Sequence, residues 1–474
     1  MADHVPDATP EAPARPAASD AADLAVAGLA FDNRTPYSAL QFDIVDQHGG
    51  AFHVFVAKIG YALGPCDAQR WASLTELAAP AELNTTDRHV DDNPAASVLE
   101  ESDLAPHKPR CDVIVVGSAY APKGVAVDAF PVRLAVETSG AADTKAKRLV
   151  DKVLVVSGGR QFQKRGVLTR LLGLPIRLAT LGLASLGTWT LSLPGRLTQL
   201  PLRYEYAEGG RCRVNRDDPA AARVEKKYRL PDSAKPLQPG DAIAHEACET
   251  NPVGRGFTRQ WFLAASQANV VDAAQITRRD SPCSAKQFLA SAKGAPLPEP
   301  AGFGVIGRAW LPRRTLIGKV EEKAHRAVNE IRNLPAEFDF GYWNCAPRDQ
   351  QCDYPRGQAR IALTNVSRHD APCAGIDEVG NTMLRLVLPR QELFVLAANG
   401  NKELITLRLD LDTVCLKPDG ARLELVWRCN LPSELGIVAA RLMHITEAAQ
   451  IERLDMLVRH QWGGNGTAAA PAAR

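Results

Sequence analysis

Apolar and polar residues alternate along much of the chain, and a side-chain period of two restricts such stretches to strands with one buried face. Leu40, Phe42 and Ile44 fall on one side, Gly49 and Gly50 turn the chain, and Phe52, Val54 and Val56 bring it back. The pattern recurs near the C-terminus: Leu407, Leu409 and Leu411 alternate, Pro418-Asp419-Gly420 supplies turn chemistry, and Leu423, Leu425 and Trp427 alternate on the return. Between these hairpins, Val132, Leu134 and Val136 alternate, Asp112 to Val116 is a short apolar run, and Lys152 to Ser157 ends at Gly158-Gly159. Helical spacing is rarer. It places Ala324, Val328 and Ile331 on one face of Glu321 to Asn333, and Ile451, Leu454 and Val458 on one face of Ala448 to Trp462. No repeat of fixed period is present, which excludes solenoids and propellers. The expected fold is mainly β with an α+β minority: antiparallel, sandwich-like layers carrying a few peripheral helices and a helical basic insertion.

With 474 residues the chain is long enough for a sizeable core. The division expected is a disordered tail over 1–28, a β-rich domain over 29–315 with insertions at about 161–200 and 211–250, a helical connector over 316–335, a C-terminal β-rich region with a terminal helix over 336–462, and a second disordered tail over 463–474. Residues 1–28 are rich in Ala, Pro and Asp and lack the apolar run of a secretory signal, which points to the cytoplasm. The balance of 56 basic against 54 acidic residues gives no global electrostatic case for nucleic acid as a partner. Ten cysteines spread from Cys66 to Cys429 do not form the dense framework of a small secreted domain, so reduced thiols are expected. The longest stretch without charge, Leu178 to Gly195, is only half apolar, so no stable membrane insertion is expected.

The segment Phe338 to Gln350 crowds aromatics, a thiol, a carboxylate, a guanidinium and an amide into thirteen positions. Two readings compete for it. In the catalytic one, Cys345 is the nucleophile of a hydrolase or transferase, His325 or His369 lowers its pKa, and Asp349 orients that histidine. In the architectural one, Phe338, Phe340 and Trp343 anchor a turn by burial, while Asn344, Asp349 and Gln350 hold its backbone by hydrogen bonds. Trp343, Asn344, Arg348, Asp349 and Gln350 would then shape a rim for a partner. Cys345, Cys352, His369 and Cys373 form a weak zinc candidate, because six residues separate the first two where a knuckle wants two to four. Gly302 to Gly307 spells the dinucleotide fingerprint GxGxxG, but Pro296, Pro298 and Pro300 before it and Pro312 after it deny it the strand and helix that a pyrophosphate site needs. No cofactor is expected.

From Arg160 to Arg203 the chain carries seven basic residues and no acidic one among recurring leucines. This segment reads as an inserted helical pair covering a sheet edge with its basic heads in solvent. The alternative is a docking surface, through Arg165, Arg170 and Arg177, for an acidic partner or an anionic membrane face.

Eight stretches in fixed order carry a resemblance: FDNRTPYSALQFDIVDQHGG (31–50), KPRCDVIVVGSAYAPKG (108–124), KVLVVSGGRQF (152–162), PLRYEYAEGG (201–210), NPVGRG (251–256), PAGFGVIGRAWLPR (300–313), FDFGYWNCAPRDQQ (338–351) and DTVCLKPDGARLELVWRCNLP (412–432). With them the chain resembles a family of bacterial proteins of uncharacterised domain type that accompany type VI secretion systems and are encoded beside PAAR-repeat spike-tip proteins and effectors. The resemblance implies a non-enzymatic adaptor or chaperone that loads an effector or a PAAR-repeat protein onto the spike, with a VgrG-type spike as a further partner. It carries over no catalytic residues. The chain departs from the family's pattern in the basic segment after Phe162, in an expansion over 211–250, in the run after Gly318, and at Glu208, where an aromatic residue is expected.

Overall fold

The computed structural model describes residues 29–138, 146–164, 189–231, 238–318, 334–355 and 359–462. Three sheets form its body. The first runs in the order Ser38–Val45, Ala51–Cys66, Arg422–Pro432, Asp410–Lys417, Cys111–Val115 and Gln351–Cys352, with Ala72–Glu76 also paired to Ala51–Cys66. Its ladders are antiparallel except that between Asp410–Lys417 and Cys111–Val115, where Val414 lies beside Val113. Every residue of Cys111–Val115 is buried. That suits a strand covered on both faces and explains why it reads as a continuous apolar run.

The second sheet is antiparallel throughout, in the order Ile276–Arg278, Arg148–Ser157, Ala129–Thr138, Ala359–Thr364, Thr382–Val387 and Gly375–Ile376. The third runs Ala30–Asn33, Ile437–His444, Leu393–Asn399 and Leu404–Arg408. One apolar core joins all three, with Phe55, Ile59 and Val113 from the first sheet, Leu134, Leu154 and Ile361 from the second, and Val395, Leu407 and Leu442 from the third. Full burial of each such side chain contributes about 1.5–3 kcal/mol. The fold is thus mainly β, built from several antiparallel sheets with few helices.

Each of the three sheets takes strands from both sides of residues 316–335, the third by a single strand before that segment, Ala30–Asn33 at its edge. The segment therefore does not divide the chain into separate cores. Most of it, including the helix expected over 321–333, lies outside the described residues.

Both hairpins read from alternation are present, with Ile44 opposite Phe52 and Leu416 opposite Leu423. The second departs in one respect. Leu407 belongs to Leu404–Arg408 and Leu411 to Asp410–Lys417, and these strands lie in different sheets. Leu407, Leu409 and Leu411 are all buried, so the side-chain period continues across the step while the backbone changes partners.

The terminal helix, Ala448–Trp462, covers the outer edge of the third sheet. Gln461 accepts from the Thr406 N–H (2.8 Å) and donates to the Leu404 carbonyl (2.9 Å), while Trp462 Nε1 donates to the Thr406 carbonyl (3.0 Å). Side chains thus satisfy backbone groups that would otherwise offer a pairing edge. Arg211–Asn215 pairs with Ala242–Ala247 and packs with Trp261 around a small separate core that includes Cys212, Val214 and Ala244. The basic stretch containing Arg165, Arg170 and Arg177 lies outside the described residues, but Lys164 and Trp189 at its two ends face each other across an antiparallel pair. Among the described residues, no helix is long and apolar enough to cross a membrane.

Candidate functional site

Residues 338–352 fold as two short 3-10 turns followed by an edge strand. Asp339 accepts from the Gly341 N–H (2.7 Å) and starts the first turn, Phe340–Trp343. Pro347 precedes the second, Arg348–Gln350, which runs into Gln351–Cys352. Phe338, Phe340 and Tyr342 are buried together with Ile317. Phe338 meets the other two rings edge-on, at centroid distances of 5.4 and 5.6 Å, a favourable arrangement for aromatic quadrupoles.

This turn clasps the central sheet through a carboxylate that the sequence did not advertise. Asp112 has no exposed surface. It accepts from Asn344 Nδ2 (3.0 Å), from the backbone N–H groups of Cys345 (3.0 Å) and Ala346 (3.2 Å), and from Lys108 Nζ (3.0 Å). Asn344 also donates to the Arg110 carbonyl (2.7 Å). Lys108 donates onward to Thr413 Oγ1 (2.8 Å), Thr413 to Asp412 (2.8 Å), and Asp412 accepts from Arg428 Nε (2.6 Å).

A second chain of charges lies beside the first. Lys58 Nζ sits 3.1 Å from both Asp103 and Glu424, and Lys417 lies 2.7 Å from both Glu424 and Glu100. A third centre is Arg313, 3 % exposed. Its Nε donates to the Tyr342 carbonyl, Nη1 to Glu101 and the Ile306 carbonyl, and Nη2 to Glu101 and again to Tyr342. All five guanidinium N–H groups are used. Burial alone would raise the Glu101 carboxyl, but Arg313 and Arg308 beside it hold it below the usual carboxylate range.

Gln350 is fully buried and fully bonded. It donates to the carbonyls of Val113 (2.8 Å) and Phe303 (3.0 Å) and accepts from Lys152 Nζ (2.8 Å). Lys152 also reaches Asp349 Oδ1 (2.8 Å), yet burial outweighs that ion pair and pulls its pKa down to about 8. Gly302 and Gly304 lie against the Tyr204 ring, which a Cβ on Gly302 would approach to 2.4 Å, and Gly307 lies against Trp310. These glycines permit close packing in a loop.

The candidate residues go to different places. Cys345 is buried with its thiol 3.4 Å from Asp112 and 3.7 Å from Lys108. Its pKa is pushed well above the ordinary range, by burial first and by the Asp112 carboxylate second, with Lys108 pulling the other way. His325 lies outside the described residues, and His369 accepts from the Gly124 N–H elsewhere (3.1 Å). Asp349 faces Lys152 and Arg278. Cys352 lies opposite Cys111, and Cys373 lies near Cys66, whose N–H and thiol both meet the Pro372 carbonyl. The four zinc candidates are therefore dispersed, and among the described residues no group of three or more His, Cys, Asp or Glu is placed to hold a metal ion.

Outside the clasp a groove of about 460 Å³ runs between Pro109, Arg110, Pro312, Leu316, Asn344 and Arg348. Arg348 and Arg110 are exposed. The half-buried Trp343 ring lies 5.5 Å from the Arg308 guanidinium. Sequence reasoning missed Asp112, Lys108, Glu101, Arg313 and Lys58. The signal available was a single charge inside an apolar strand run, as with Lys58 in Val54 to Leu63 and Asp112 before Val113 to Val116. Such a charge must find a partner when the strand is buried.

The molecule is thus a mainly β body in which residues 338–352 close over buried ion pairs. The chain belongs to the family described as "Uncharacterized protein conserved in bacteria (DUF2169)", whose model matches residues 48–428. No curated protein and no solved structure matches it.

Proposed function

We propose that the chain is a non-enzymatic adaptor or chaperone that helps load a type VI secretion effector or a PAAR-repeat protein onto the secretion spike, acting in the cytoplasm before firing. The observation that carries this reading is the division of labour in residues 338–352. The Asn344 amide nitrogen and the Gln350 amide are engaged internally, while Arg348 and the groove beside it face outward. A thiol held neutral by burial and by a neighbouring carboxylate is a poor nucleophile, which favours a scaffold over a cysteine hydrolase. The ordered motifs supply the class of partner.

Co-purification from cells expressing the whole gene cluster is the test: a PAAR-repeat protein or an effector should come down with the chain, and recovery of neither would sink the proposal. Cys345→Ala separates this reading from the enzymatic one. The variant should keep partner recovery and secretion at the native level, whereas a nucleophile's removal would abolish function.

A further inference from the structure

The register places two buried thiols directly opposite each other. Gln351–Cys352 pairs antiparallel with Cys111–Val115, Gln351 facing Asp112 and Cys352 facing Cys111. The two cysteines stand 241 positions apart in sequence, so nothing in their spacing announces the meeting. Cβ atoms of directly opposed antiparallel residues lie about 4.5–5.5 Å apart. A disulfide needs about 3.5–4.5 Å, so closing the bond asks for a shift of roughly 1 Å. The strand that must move is two residues long and is the outermost of its sheet.

We propose that Cys111 and Cys352 are a thiol pair that closes to an intramolecular disulfide when the protein meets a small peroxide. All ten cysteines are free thiols in the structure. The pair is nevertheless polarised for the reaction. Hydrogen bonding from Cys111 holds the Cys352 thiol below its ordinary pKa, against burial, while burial first and Cys352 second hold Cys111 well above its own. Arg110, which donates to the Gln351 carbonyl (3.1 Å), favours the thiolate at Cys352 as well.

The step balances with hydrogen peroxide as the only oxidant. The Cys352 thiolate attacks one peroxide oxygen, the O–O bond breaks, and the departing hydroxide takes a proton to leave as water. Cys352 is then a sulfenic acid. The Cys111 sulfur attacks the Cys352 sulfur, the S–O bond breaks, and the hydroxide leaves as a second water with the Cys111 proton. Two thiols are oxidised by two electrons and one peroxide is reduced to two waters. Cys352 is 2 % exposed and Cys111 has no exposed surface, so the oxidant has to be of about the size of water. The bond would tie Gln351–Cys352 to the sheet covalently, next to the hydrogen bonds by which Asn344 and Cys345 already grip Asp112. It is independent of the adaptor reading.

The test uses the full chain, reduced, freed of reductant, treated with hydrogen peroxide and capped with N-ethylmaleimide. Trypsin should release Cys111 to Lys123 joined to Asp349 to Arg356, each carrying one cysteine. Reductant should separate the two peptides, and the titratable thiols should fall by two. The oxidised chain should unfold several degrees above the reduced chain, and Cys352→Ser should lose both the cross-link and that shift. If the serine variant fails to fold, the native peptide map still decides. A link between Cys66 and Cys373 alone, Cys352 oxidised singly to sulfinic acid, or both peptides fully capped at a peroxide dose that oxidises methionine would each overturn the proposal.

Discussion

Two buried carboxylates, Asp112 and Glu208, show how differently one chain treats the same group. Asp112 sits at the heart of the clasp and accepts from an ammonium, an amide and two backbone N–H groups. Glu208 is 9 % exposed, yet its neighbours are Gln287, 3.3 Å away, and the weakly polar thiol of Cys283. Burial therefore dominates and pushes the Glu208 carboxyl up to about 7. The difference teaches where charge is structural in this molecule. Within the clasp it is matched donor for acceptor, and at Glu208 it is barely matched.

Asp112→Ala should break the comparison most strongly. It leaves Lys108 without its carboxylate and frees the backbone N–H groups of Cys345 and Ala346, and loss of one member of a buried pair costs about 3–5 kcal/mol. A chemical denaturation midpoint within error of native would refute the clasp. Arg313→Lys should cost about 2–4 kcal/mol, because an ammonium cannot replace a fork that makes bonds to Glu101, Tyr342 and Ile306 together. Equal stability of the two chains would mean that the fork geometry does not matter.

Glu208→Gln is expected to act in the opposite direction. A carboxyl whose pKa is raised on folding contributes stability that is complete below its unfolded value and is lost as pH rises through the folded value near 7. The amide should thus stabilise the chain by about 1–2 kcal/mol at pH 8, and the gain should vanish near pH 4. Thermal unfolding at both values reads the sign directly, and a gain independent of pH would assign the effect to packing instead. Arg348→Glu should have the smallest effect on stability, within about 0.5 kcal/mol, as exposed substitutions usually do. On the adaptor reading it should reduce partner recovery several-fold, and native recovery would move the contact surface away from the groove.

The strands were the legible portion of this fold. Ser38–Val45 with Ala51–Cys66, and Asp410–Lys417 with Arg422–Pro432, follow from a period of two interrupted by turn residues, a signal contained within about twenty residues. The Leu404–Arg408 step was not legible, because buried leucines keep their period while the backbone changes sheets. The clasp was half legible. Phe338, Asn344 and Gln350 stood out by their density, but Asp112 lies 232 positions from Asn344 and looked like the edge of an apolar run. Cys345 and Cys352 suggested a shared metal site, and the structure gives each a different neighbour.

The sequence by itself determined that this chain is mainly β, where its principal hairpins turn, and that residues 338–350 are unusual. Those properties rest on local periodicity and on turn chemistry, which act between near neighbours. Tertiary structure alone decided which charges are buried together, which thiols face each other, and that Asn344 and Gln350 turn inward while Arg348 stays outside. Burial depends on what covers a strand, and partners separated by two hundred residues or more meet only once the sheets have closed over one core.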